Sequence, residues 1–132
     1  MPTRFENPAS LSVPKGYSHV AIVAAGRQAH VAGQVALAAD GQIVGKGDLA
    51  AQAEQVYGNV TRALDAAGAK LSDVFKVVTY VVDLSPDKAV AIRAVRARHL
   101  GDGPYPASTM VGVTSLVHPD LLIEVEVIAA LD

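Results

Sequence analysis

The chain has no cysteine among its 132 residues. No disulfide frame can hold it, and no thiol can act as a nucleophile. Charge is also scarce. Asp, Glu, Lys and Arg make up 18 % of the sequence, and the net charge is −2. That balance offers no electrostatic footprint for nucleic acid or for an anionic membrane. Aromatic residues are 5 %, too few for the stacking platforms on which proteins hold single strands. No apolar run reaches the roughly 18 residues of a spanning helix, and no basic-then-apolar leader opens the chain. These absences leave a cytoplasmic enzyme or small-molecule-binding protein, without nucleic-acid or membrane partners.

What is abundant is apolar surface, at 51 % of residues. The length fits one domain, residues 1–132, near the commonest domain size. A small domain has much surface to cover per unit volume. Apolar surplus with so little charge therefore implies that part of the surface is buried against other subunits.

Hydrophobic periodicity gives the elements. A short apolar-polar stretch around Phe5 reads as an edge strand or arm. "HVAIVAAG" (His19–Gly26) and "AHVAGQVAL" (Ala29–Leu37) are strand-like and separated by only two residues, so they read as a hairpin. "DLAAQAEQVYGNVTRALDAAG" is the clearest helix, with Leu49, Ala53, Val56, Tyr57, Val60, Leu64 and Ala67 at helical spacing. Asp48 is its N-cap and Gly68 its stop. Asp73–Leu84 reads as a buried strand. Ser85 caps a second helix with Pro86 in its first position. Gly101–Pro106 is a loop, Ala107–Leu116 a strand, and "VHPD" turns into a last strand. The order β-β-α-β-α-β-β implies a layered α+β fold, two helices on one face of a single sheet. No element remains to cover the other sheet face, which again implies association of copies.

The last strand, "LLIEVEVIAAL" (Leu121–Leu131), carries two acids in an apolar run. Side chains at i and i+2 share a strand face, so Glu124 and Glu126 lie together, opposite Ile123, Val125 and Val127. Either that face meets water or one acid faces a cleft. Elsewhere, His19, His30, His99 and His118 show no metal-ligand spacing, and no glycine-rich phosphate loop occurs. No metal or cofactor is expected. Arg93 and Arg96 lie three apart on one helix and read as a solvated basic face rather than an anion clamp.

Four segments, "GYSHV", "HVAGQV", "NVTRALDAAGAKLSDVFKVVTYVVDL" and "PASTMVGVTSLVHPDLLIEVEVIA", together resemble the reactive intermediate/imine deaminase (RidA, YjgF) family, also labelled endoribonuclease L-PSP. The resemblance runs from about Asn7 to Ala129. It implies a chorismate-mutase-like α+β fold and a homotrimer whose sheets line a central barrel, with a small-molecule cleft between each pair of subunits. In the deaminase branch, water hydrolyses an enamine or imine. An arginine in a "P-A-R-S" motif grips the substrate carboxylate, and a glutamate in "I-E-I-E" positions the water. Carried over by residue, Glu124 is the glutamate and Tyr17 the pocket tyrosine. Ala32 stands where the family has a serine, Arg93 where an asparagine is common in the second helix. Ser108 occupies the place of the arginine, followed by Thr109 and Met110. The resemblance is thus to a divergent branch: a hydrolase of small enamines, imines or related carbonyl-derived metabolites, with Glu124 and Tyr17 catalytic and Ser108, Thr109, Met110, Ala32 and Arg93 lining the ligand. Turnover of 2-iminopropanoate-type imino acids should be weak without the arginine, unless Arg93 returns the charge. The alternative is a non-catalytic trimer that binds a metabolite or a protein.

Overall fold

The computed structural model describes residues 3–24 and 26–131. Its elements are β1 (Thr3–Glu6), β2 (Val20–Val23), β3 (Gln28–Gln34), α1 (Leu49–Ala67), β4 (Val74–Val82), α2 (Pro86–Leu100), β5 (Ala107–Val113) and β6 (Ile123–Ala130), with one 3-10 turn at Leu71–Asp73. The helix boundaries follow capping chemistry. The Asp48 carboxylate accepts from the Ala51 N–H, and Gly68 adopts the left-handed conformation at φ 78° that closes α1. Ser85 caps α2 through the Lys88 N–H, with Pro86 in its first turn.

β3, β6, β4 and β5 form a four-stranded mixed sheet in that spatial order. β6 runs antiparallel to both β3 and β4. β4 and β5 are parallel, joined through α2. The core lies between one face of this sheet and the two helices. Val77, Val81, Ile123, Val125 and Val127 meet Val56, Tyr57, Val60, Leu64, Ile92 and Val95, all buried. The opposite face carries Val78, Tyr80, Val111, Glu124, Glu126 and Ile128, placed together by the cross-strand pairs Tyr80↔Glu124, Val78↔Glu126 and Tyr80↔Val111. No described element covers it.

The expected hairpin is not formed. β2 pairs with β1, Thr3↔Val23 through Glu6↔Val20, as a separate two-stranded ribbon. β3 pairs instead with β6. A short connection says only that two strands are near in sequence. Pairing with β6 lets Ala29, Val31 and Val35 pack against the buried core, whereas pairing with β2 would leave β3 in the ribbon, where Val20 and Ile22 stay exposed. Ala25, in the predicted run His19–Gly26, lies outside the described residues.

Candidate functional site

The carried-over residues fall into two groups at opposite edges of the four-stranded sheet. At the β5 edge, the segment Gly16–Ser18 is laid against the strand. The Ser18 N–H donates to the Pro106 carbonyl at 3.0 Å, and its hydroxyl donates to the Tyr105 carbonyl at 2.6 Å. Arg96 reaches this segment from α2. Its Nη1 donates to Ser108 Oγ at 3.1 Å, and its Nη2 donates to the Gly16 carbonyl at 3.0 Å. Gly16 has φ +74°, a conformation that glycine adopts at least cost. Tyr17, Arg93, Arg96, Ser108 and Met110 together line a cavity of about 150 Å³. Thr109 does not join them. It pairs with Val78 and points to the open sheet face, whereas Ser108 pairs with Val77 and points toward the helices.

Arg96 corrects the solvated-face expectation. Arg93 is exposed, but Arg96 retains only 4 % of its surface. Burial, and after it the neighbouring Arg93 charge, pulls its pKa down, while the Tyr57 phenol acts the other way; a guanidinium nevertheless keeps its proton in proteins. The signal was present in the sequence. Ala89, Ile92, Val95 and Arg96 are the buried residues of α2, and their spacing of three, six and seven is that of one helical stripe.

The second group lies near the β3 edge. The β3–β6 register shifts between Val31 and Gln34, so Ala32 and Gly33 form an irregularity in the strand. A Cβ on Gly33 would lie 1.9 Å from Glu124 Oε2 and 2.7 Å from its Cδ. The glycine therefore leaves the space that the carboxylate occupies. Ala32 is exposed, and its carbonyl accepts from the Gln34 side chain at 3.1 Å. The two acids of the strand differ. Glu126 accepts a 2.5 Å hydrogen bond from the Tyr80 hydroxyl, which holds that phenol above its ordinary pKa. Glu124 is half-buried, and its carboxylate accepts no hydrogen bond from any described residue.

A residue that sequence reasoning passed over sets the entry to β6. Gln52 of α1 is fully buried. Its amide nitrogen donates to the Gly45 carbonyl at 3.2 Å and to the Asp120 carbonyl at 2.9 Å. Its oxygen accepts from the Leu122 N–H at 2.8 Å. The loop before α1 and the turn before Glu124 are thereby tied to one side chain. Among the described residues no group of three His, Asp or Glu side chains could hold a metal ion. Among the described residues no helix is long and apolar enough to cross a membrane.

Residues 8–131 match the endoribonuclease L-PSP family. The chain is 38 % identical over 108 residues to a RutC family protein of Pyrococcus horikoshii, covering 81 % of this chain and 82 % of that one. It is 37 % identical over 84 residues to the 2-iminobutanoate/2-iminopropanoate deaminase of Escherichia coli K12, covering 62 % of this chain and 63 % of that one. The crystal structure of YyfB, a protein of unknown function of the conserved Rid family from Yersinia pestis, superposes with a TM-score of 0.90 at 42 % identity, over 98 % of both chains. The yeast protein YEO7 superposes with a TM-score of 0.72 at 28 % identity, over 90 % of both. The two helices packed on a mixed sheet are the RidA/YjgF form of the chorismate-mutase-like α+β fold, and the chain belongs to the endoribonuclease L-PSP (RidA/YjgF) family.

Proposed function

We propose that the chain forms a homotrimer and hydrolyses a small enamine or imine in clefts shared between subunits. The observation that carries this reading is the state of Glu124. Its carboxylate is half-buried, seated in space left by Gly33, and free of protein donors among the described residues. Its neighbour Glu126 is tied to Tyr80. A carboxylate without a protein donor is available to accept from water, as a water-positioning group or general base requires. Water attacks the C=N carbon while Glu124 takes one of its protons and passes it to nitrogen; the carbinolamine hydroxyl proton then moves to nitrogen as the C–N bond breaks, and a carbonyl compound and ammonia leave. An enamine enters the same path after protonation at carbon.

Within one chain, Tyr17 and Ser108 lie at the β5 edge and Glu124 on β6, with β4 between. A cyclic trimer joins two different patches of neighbouring subunits. Such an arrangement can complete the cleft, with Tyr17 of one subunit closing over Glu124 of the next. The uncovered sheet face, on which Val78, Val111 and Ile128 lie, and the low charge support the same assembly. The E. coli relative, whose name is that of an imine deaminase, supports the reaction class. A cytoplasmic location belongs to this reading.

The experiment is a panel of freshly released enamines and imines, with and without a carboxylate, assayed with the purified protein. The reading expects at least one to be hydrolysed well above the solvent rate. Solvent rates across the panel would favour a binding protein that retains the cleft without the chemistry.

A further inference from the structure

We infer that Tyr80 is a positioning residue for Glu124: its hydroxyl holds Glu126 on the β4 side of β6 and so leaves Glu124 as the acid that is free to accept. Strand alternation puts both acids on one face of β6. Two carboxylates side by side compete for the same protons and donors. Their carboxylates are sent to opposite sides of the strand. That of Glu124 lies against Gly33, on β3. That of Glu126 takes the Tyr80 hydroxyl, on β4, at 2.5 Å. Tyr80 stands directly opposite Glu124, and Val78 stands opposite Glu126. The phenol therefore passes its own cross-strand partner and bonds the diagonal neighbour, a span of about 7–8 Å that an aromatic side chain can reach.

A hydrogen bond that merely satisfies a half-buried acid explains less. Other donors are at hand, since His30 and Lys76 line the same hollow as Glu126. Among the described residues neither is bonded to it. The ion pairs do not include Glu126, and the His30 ring turns to the Gln28 side chain. The acid is taken instead by the neutral donor that stands across from Glu124. That donor keeps its proton at neutral pH. The Glu126 hydrogen bond above all raises the phenol's pKa, and the Glu124 charge adds to the same shift. Tyr80, Glu126 and Glu124 thus act on one another as a unit. Without the hydroxyl, Glu126 is free to turn toward Glu124 and share a proton with it. A carboxylate engaged with a second acid no longer offers its lone pairs to water.

The part that Tyr80 plays in turnover rests on the hydrolase reading, so the test has two readouts. The first compares wild type, Tyr80→Phe, Glu126→Gln and the double variant on the enamine or imine that wild type turns over fastest, with a melting curve for each. Tyr80→Phe keeps the ring and removes only the hydroxyl. It should lose on the order of tenfold in kcat with KM nearly unchanged. A glutamine at position 126 cannot share a proton as a carboxylate does. In the Glu126→Gln background, Tyr80→Phe should therefore cost no further activity, whereas a purely structural role would cost the same in both backgrounds. The second readout needs no turnover. The side-chain carboxyl carbon signals of Glu124 and Glu126 are followed by NMR at one neutral pH. Tyr80→Phe should move both signals, and the movement of Glu124 should vanish in the Glu126→Gln background. The inference is overturned by wild-type kcat in Tyr80→Phe, by an equal loss in both backgrounds, or by a Glu124 signal that ignores Tyr80→Phe. If wild type turns over no enamine or imine, the hydrolase reading falls, and the NMR result alone decides whether Tyr80 acts on Glu124 through Glu126.

Discussion

The Glu124 carboxylate fills the volume in which any side chain at position 33 would begin, with Oε2 lying 1.9 Å from where a Cβ on Gly33 would stand. Gly33 and Glu124 are therefore one structural unit, and the glycine serves the acid's position rather than a turn. Gly33→Ala should leave the fold intact but force Glu124 into another rotamer, at a cost of about 1 kcal/mol. Displacing a reacting group by an ångström can lower rates by about a hundredfold. Melting and steady-state assays on the same sample should show that small stability loss with a large activity loss. Wild-type activity in Gly33→Ala would separate Glu124 from the reaction.

Gln52 should prove to be a stability residue that also acts on the site. Gln52→Leu removes the side-chain partner of the half-buried Asp120 carbonyl and Leu122 N–H, while the Gly45 carbonyl keeps its bond from the Asp48 N–H. Each unsatisfied group costs about 1–3 kcal/mol, so urea denaturation should show a loss of roughly 2 kcal/mol or more. A loss within experimental error would mean that the turn before β6 is held by other contacts.

Most of the fold was legible because its signals are local. The Asp48 and Ser85 caps, the Gly68 stop and the alternation around Glu124 depend on neighbours a few residues away, and all recur in the structure. Strand partnership was not legible. The two residues between predicted β2 and β3 signalled a hairpin, but the choice of partner was decided by β6, about a hundred residues further along. The site was legible in part. Glu124 and Tyr17 were singled out by motif resemblance alone, and of the two acids on that strand face Glu126 is the one paired, with Tyr80. Arg96 was passed over because its cationic side chain outweighed its place on the apolar stripe. That Thr109 turns away from Ser108 follows from strand alternation alone.

Alkaline stability should depend on Tyr57. Its ring is fully buried and stacks on His99, and its hydroxyl has no hydrogen-bond partner. Burial raises its pKa from 10.0 to about 12. A raised folded-state pKa means that ionisation favours the unfolded chain. The contribution is complete below pH 10 and is lost as the pH rises toward 12. The full span is on the order of 2–3 kcal/mol. Tyr57→Phe should remove this slope and leave neutral stability unchanged or higher, as read from melts across the alkaline range. An unchanged slope would assign alkaline unfolding to other groups.

The uncovered sheet face gives an assembly prediction. Val78, Val111 and Ile128 lie on it beside Tyr80 and the two acids. Light scattering on the purified protein at micromolar concentration should give three times the chain mass of 13.6 kDa. Val111→Asp, a charge on that face, should shift the protein toward monomer. A stable monomer in the wild type would contradict the shared cleft.

The central claim is that Glu124 is the acid that activates water. The most direct measurement compares wild type with Glu124→Gln on whichever enamine or imine the wild type turns over fastest. General acid–base groups contribute roughly 10²–10⁴-fold. Glu124→Gln should lose at least about a hundredfold in kcat while its melting temperature stays close to that of wild type. A Glu124→Gln protein that turns over as fast as wild type would contradict it.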